Sequence, residues 1–224
     1  MKKLIIPVAA LVMAGLFTIP VKKAAAQMDY GTMPTTTFGV KVGPSFSSMT
    51  SKVGGDKNTS DMLVGIEGGV YANIPIAPQF YVQPSLMYEG KGGKESSDGV
   101  DEKVHLHYLT LPVDFLFKPE MPNGSGAWII GVGPYFGYGL SGKVKSDGET
   151  GDINLFDEGG ADGDAALKRF DAGANVQLGY EMVNGFNIGL NANLGLVNIA
   201  NGGDSDNSTR NTNFGITLGY TFGR

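Results

Sequence analysis

From Thr37 onward the chain alternates large apolar residues with glycine or polar ones at a period of two, in eight separate stretches. Thr37–Met49 sets Phe38, Val40, Val42 and Phe46 against Gly39, Lys41, Gly43, Ser45 and Ser47. Met62–Ile76 sets Val64, Ile66, Val70, Ala72 and Ile74 against Gly65, Glu67, Gly69, Tyr71 and Asn73. The same reading predicts strands over Phe80–Gly90, Val104–Lys118, Ala127–Lys145, Arg169–Met182, Phe186–Leu196 and Asn213–Phe222. A helical period of 3.6 fits none of them. The third alternates least cleanly, setting Val82, Leu86 and Tyr88 against Tyr81, Gln83, Ser85 and Glu89.

The two faces differ in a way that chooses the solvent. A soluble barrel or sandwich turns its apolar face inward and spreads Lys and Glu over the outside. Here the apolar face is bulky, aromatic at its ends and almost uncharged, while the other face is mostly Gly, Asn, Ser and Thr. Lipid suits the first face and a narrow lumen suits the second. The strands also reach the ~9–11 residues a tilted strand needs to cross the hydrocarbon. The links test this independently. Ile76–Gln79, Pro119–Gly126 and Val183–Gly185 are short, whereas Thr50–Asp61, Lys91–Lys103, Val144–Lys168 and Ala200–Arg210 are longer. Short and long links alternate, as they do in a chain threaded repeatedly through a membrane. The expectation is an all-β fold, an eight-stranded antiparallel up-and-down transmembrane β-barrel over residues 37–224. Its tight turns and both ends would lie in the periplasm and its four longer loops outside.

Composition and charge sharpen this picture. Met1-Lys-Lys3, the apolar run Leu4–Pro20 and the small residues Ala24, Ala25 and Ala26 have the three-part form of a secretory signal peptide. Residues 1–26 are therefore expected to be cleaved, and 27–36 to form a disordered periplasmic leader. Removal of the first segment lowers the 17 basic residues to 13 against 22 acidic ones, a net charge of −9. An exported acidic protein is a poor nucleic-acid binder. The absence of cysteine excludes a lipid-anchored lipoprotein and any disulfide framework. Gly accounts for 35 of 224 residues, about twice the usual share, and sits inside the apolar stretches, where a narrow barrel must bend.

Several phrases resemble the PorT-like family of outer-membrane β-barrel domain proteins, which carries a porin family label. They are Phe38-Gly-Val-Lys-Val-Gly43, Phe80-Tyr-Val-Gln-Pro-Ser-Leu86, Tyr108-Leu-Thr-Leu-Pro112, Gly131-Val-Gly-Pro-Tyr135, Phe170-Asp-Ala-Gly173 and the ending Leu218-Gly-Tyr-Thr-Phe222. The likeness covers nearly the whole chain after the leader and implies a small OmpA/OmpX-type barrel. The aromatic ending is similar to the terminal strand signal read by the barrel assembly machinery, although Gly223 and Arg224 follow it.

Candidate chemistry lies chiefly among charges on the inward face: Lys41, Glu67, Glu89, Asp114, Lys118, Lys143, Arg169, Asp171 and Glu181. These are expected to form ion pairs that plug the lumen, because one buried charge left alone costs ~3–5 kcal/mol. His105 and His107, with Ser96, Ser97, Asp98, Asp101 and Glu102 nearby, make a weak case for nucleophilic catalysis. The acidic stretch Asp147, Asp152, Asp157, Glu158, Asp162 and Asp164 lacks EF-hand spacing and is expected to be a solvated loop. Gly90-Lys-Gly-Gly-Lys94 lacks phosphate-loop spacing and is expected to be a surface loop.

The sequence thus predicts a non-enzymatic envelope component without cofactor or metal, monomeric, in contact with outer-membrane lipid and lipopolysaccharide and assembled by the barrel machinery. The alternatives are a narrow porin-like channel for small solutes and a soluble periplasmic, lipocalin-like binder of apolar ligands.

Overall fold

The computed structural model describes residues 35–97, 100–146, 149–150, 154–157 and 164–223, with side chains for all of these except 95–97, 100–101, 146 and 149–150. The expected signal peptide and most of the leader lie outside the described residues.

Eight long strands follow one another around a closed sheet. They are β1 (Thr37–Val53), β3 (Leu63–Ala77), β4 (Phe80–Ser97), β5 (Val100–Phe117), β6 (Gly126–Ser146), β8 (Phe170–Met182), β9 (Phe186–Gly195) and β10 (Ser208–Phe222). Two short strands, β2 (Asp56–Thr59) and β7 (Glu149–Thr150), extend β1 and β6 as hairpins. Each long strand pairs antiparallel with its sequence neighbours, and β1 closes the ring on β10, from Phe38 opposite Phe222 to Lys52 opposite Ser208. Each of the eight long strands thus has a paired neighbour on both sides, which is what a sheet needs in a solvent that offers no hydrogen bonds.

The predicted faces hold along all eight strands except at the top of β6 and the start of β8. Val42, Ile66, Phe115, Val132, Leu178, Ile188 and Leu218 all point outward and are exposed, the last at 65%. Monomeric soluble proteins rarely show contiguous apolar patches beyond a few hundred Å²; this one encircles the barrel. The soluble, lipocalin-like alternative required the reverse arrangement, with apolar side chains lining the cavity, and is overturned. At the tight-turn end aromatic rings meet in pairs, Phe80 with Phe117, Trp128 with Tyr180 and Phe186 with Tyr220, at 5.0–5.5 Å between centroids. On β6 the outward face runs from Trp128 to Tyr138. At ~3.3 Å per residue and a tilt of ~40° those ten steps rise ~25 Å, the height of a membrane barrel's apolar band.

Glycine lets the wall close tightly. A Cβ on Gly69 would run into the Leu86 carbonyl, and one on Gly133 into the Val113 carbonyl. Pro84, Pro112 and Pro134, on three consecutive strands, lack the N–H a ladder uses. Pairing lapses beside each: between Tyr71/Ser85 and Ile74/Val82, between Pro84/Val113 and Met87/Thr110, and between Pro112/Tyr135 and Phe115/Val132.

The structure departs from the sequence reading at the long-loop end. Lys91–Lys103 is no loop: β4 and β5 continue past Gly90, pairing Lys91 with Leu106 and on to Ser97 with Val100. Gly90-Lys-Gly-Gly-Lys94 is therefore strand. Near the top of β6, one extra residue, Leu140, sits between the pairs Tyr108/Gly139 and His107/Ser141. Such a bulge reverses the alternation beyond it. Gly142 turns inward, and Lys143, expected in the lumen, is exposed.

Candidate functional site

The lumen is crossed by side chains at successive heights. At the tight-turn end Lys118 Nζ donates to Glu181 Oε2 at 2.9 Å, and the Thr221 hydroxyl donates to the same oxygen at 2.7 Å. The Tyr71 hydroxyl shares a 2.8 Å hydrogen bond with Thr221 Oγ1 and accepts one from Asn187 Nδ2 at 2.9 Å.

One level up, Asp114 on β5 reaches across β6, whose inward residues there are Gly131 and Gly133, to amides on β8. Asn175 Nδ2 and Gln177 Nε2 donate to Asp114 Oδ2 at 2.7 and 2.9 Å. Gln177 also donates to Gln83 Oε1 at 3.0 Å, and Gln83 donates to Asn73 Oδ1 at 2.8 Å. Glu67 on β3 does the same across β1, taking bonds at Oε2 from Asn191 on β9 at 3.3 Å and Asn213 on β10 at 3.2 Å. The pattern repeats: a carboxylate spans a strand of small inward residues and lands on amides beyond it. Lys41 enters the lumen at this height with its ammonium 5.9 Å over the Tyr71 ring.

The next level holds a buried cation. Lys91 Nζ lies 3.1 Å from Glu89 and 3.3 Å from Asp171, on the opposite wall, with all three side chains almost fully buried. The rings of Tyr135 and Tyr108 flank the ammonium at 4.6 and 5.1 Å. Asn193 donates to Glu89 at 2.8 Å, and Tyr135 and Asn211 donate to Asp171, each at 3.3 Å.

Above this the lumen turns apolar. Leu106, Tyr108, Phe156, Leu167 and Ile199 form a buried cluster in which Tyr108 and Phe156 meet edge to face at 5.5 Å. Phe156 comes from the segment after β6 and lies over Gly139, where any Cβ would strike its ring. The segment is fixed by Leu155 N–H to Gly142 O at 2.9 Å and by Arg169, which bonds the Gly139 carbonyl at 2.8 Å and Asp157 at 2.5 Å.

Of the predicted lumen charges, Lys41, Glu67, Asp114, Lys118, Asp171 and Glu181 lie on the inner wall, but only some meet an opposite charge. Glu67 and Asp114 are held by amides and have no cation within ion-pair distance among the described residues. Arg169 does not enter the lumen. It precedes the first ladder residue of β8, so the barrel does not orient it, and it turns to the rim as the latch of the Phe156 segment. Sequence reasoning misses Lys91 because it follows Gly90 in a polar, glycine-rich stretch that reads as a loop. Its signal was present, since Glu89, Lys91 and Gly93 continue the period of two. Phe156 carried no signal in an acidic, glycine-rich segment.

His107 Nδ1 and the Tyr88 hydroxyl are 2.6 Å apart on the outer wall. The side chains of Ser96, Ser97, Asp98 and Asp101 lie outside the described residues, as do those of Asp147, Asp152, Glu158 and Asp162.

A closed ring of eight antiparallel strands with an apolar exterior and a polar interior defines an integral membrane β-barrel. Residues 26–201 match the outer membrane protein beta-barrel domain, and the chain belongs to that family and to the outer membrane. Among solved structures it is similar to the outer membrane protein OprG from Pseudomonas aeruginosa, at 15% identity over 86% of this chain and 98% of that one, TM-score 0.48. It is also similar to Neisserial surface protein A (10% identity, 84% and 99% covered, TM-score 0.46) and to Ail, the attachment invasion locus protein of Yersinia pestis (14%, 84% and 100%, TM-score 0.43). No curated protein matches the chain.

Proposed function

We propose that the protein is a closed, non-enzymatic barrel of the cell envelope, of the PorT-like kind, exported through the periplasm and monomeric in outer-membrane lipid. Its tight turns face the periplasm and its long-loop end faces outward, in contact with lipopolysaccharide. The reading is carried by one observation: polar bridges cross the lumen at successive heights and Phe156 closes the outer mouth above them. An eight-stranded barrel has an interior that side chains can fill, and the bridges support that reading. The protein then acts through its outer rim. There the β1–β2 and β4–β5 hairpins enclose a cleft of about 160 Å³ lined by Met49, Ser51, Asn58, Ser60 and Lys94.

Planar-bilayer recording of the refolded protein tests this. The parent is expected to show no discrete current steps, and a Lys91→Ala, Phe156→Gly variant is expected to show them. A steady large current in the parent would replace this reading with that of a narrow solute channel.

A further inference from the structure

The middle of the lumen holds more negative charge than its own side chains balance. Among the described residues five buried carboxylates, Glu67, Glu89, Asp114, Asp171 and Glu181, face three ammonium groups, Lys41, Lys91 and Lys118. Lys91 serves Glu89 and Asp171, and Lys118 serves Glu181. Lys41 has no carboxylate within 4.0 Å among the described residues. Glu67 and Glu89 stand directly opposite each other in the β3–β4 ladder, both inward and both buried. Like charges in that position destabilise a sheet.

Around Glu67 the hydrogen-bond inventory is also one-sided. Asn191 and Asn213 each commit an amide nitrogen to Glu67 Oε2, so each turns its Oδ1 elsewhere as an acceptor. Neither of those oxygens, nor Glu67 Oε1, has a donor among the described residues, although Glu67 is 1% and Asn213 0% exposed. With Glu67 ionised these orphaned oxygens cannot satisfy one another, because none of them has a proton to give. The carboxylate rests against Gly215, where any Cβ would collide with it, so the wall is reduced to bare backbone at that point.

We propose that Glu67 Oε1 and the amide oxygens of Asn191 and Asn213 ligate one hard, oxygen-seeking metal cation in the middle of the lumen. A carboxylate plus amide carbonyls, completed by water, is the donor set of Ca²⁺ or an alkali ion. Softer metals prefer nitrogen or sulfur ligands. The sequence has no cysteine, and both of its histidines lie on β5 near the long-loop end. Lys41, pointing into the same level, competes with the ion for the carboxylate. The site is independent of whether the barrel conducts.

Calorimetric titration of the detergent-refolded protein, in tetramethylammonium chloride at constant ionic strength, tests this with CaCl₂ and NaCl as separate probes. Saturable uptake of one ion per barrel is expected from at least one probe, and which one responds assigns the ion's charge. Glu67→Gln is expected to weaken binding at least tenfold and Asn213→Ala at least threefold. Lys41→Met leaves every ligand oxygen in place and is expected to tighten binding at least threefold. It keeps the test open if Glu67→Gln does not refold. Absence of saturable heat with both probes overturns the proposal, as does binding that Glu67→Gln and Lys41→Met leave unchanged, which would locate the ion in the outer acidic segment.

Discussion

Lys91→Met removes a cation that is 1% exposed and lies 3.1 Å from Glu89 and 3.3 Å from Asp171. Methionine keeps a similar unbranched stem beside Tyr108 and Tyr135, so little packing is lost. What remains is a pair of buried carboxylates with no cation between them. Breaking a buried pair from one side costs ~3–5 kcal/mol, and losing two cation–π contacts adds ~0.5–2 kcal/mol each. Asn193, Asn211 and Tyr135 still donate to the two acids, and either acid can take up a proton, so the lower end of the range, ~3 kcal/mol, is expected. At an m value of ~1–3 kcal/mol per molar urea, the unfolding midpoint falls by ~1–3 M. Fluorescence of Trp128, the only tryptophan, reports unfolding, and heat-modifiable gel migration reports barrel closure. The triple variant Glu89→Gln, Lys91→Met, Asp171→Asn removes all three charges together and is expected within ~1 kcal/mol of the parent. A single variant with the parent's midpoint, or a triple variant as weak as the single, would refute the reasoning.

Other consequences are equally open to measurement. Gly139→Val places a side chain where the Phe156 ring lies, so the barrel should still form while protease cuts the segment around 154–157 at least tenfold faster; an unchanged rate counts against the seat. Arg169→Ala breaks a partly exposed pair of the kind worth ~0–1 kcal/mol, so the urea midpoint should barely move while hydrogen exchange at the Leu155 amide accelerates. Asp204 accepts the backbone N–H groups of Asn207 and Asp206, which hold its carboxyl below the ordinary range. A depressed native value means that its contribution is present above the unfolded-state value and lost as pH falls through the native one. The protection factor of the Asn207 amide, its exchange rate relative to the unstructured peptide at the same pH, should therefore hold constant near neutrality and fall below pH ~4, and a factor that does not change with pH would contradict this.

The lipid-facing half of the molecule was legible because hydrocarbon imposes one simple rule on every second residue. Val42, Ile66, Val132 and Leu218 obey it without reference to any partner. The lumen obeys no such rule. Whether Asp114 meets a lysine or two amides depends on which strands face each other across the barrel, and that is set by stagger, which a pattern along one strand does not contain. Hence the charges on the inner wall could be named but Asn175, Gln177, Asn191 and Asn213 could not be matched to them. Lys91 and Arg169 were exchanged for a related reason. Polarity and glycine made a continuing strand look like its loop, while the period of two was carried one residue too far at the start of β8. Phe156 acts through a tertiary seat built by Gly139 and Gly142, and isolated aromatics in loops give no warning of such seats.

The extra residue at Leu140 sets a parity for everything beyond it. Draw Leu140 into the ladder as an ordinary strand residue and the upper part of β6 would present Lys143 to the interior and swing Gly142 out, leaving Phe156 without its seat. Remove two neighbouring residues farther along the same hairpin and only its reach would change. Length variation beyond the bulge is thus tolerated in even steps, whereas an odd step needs a bulge gained or lost to restore the faces.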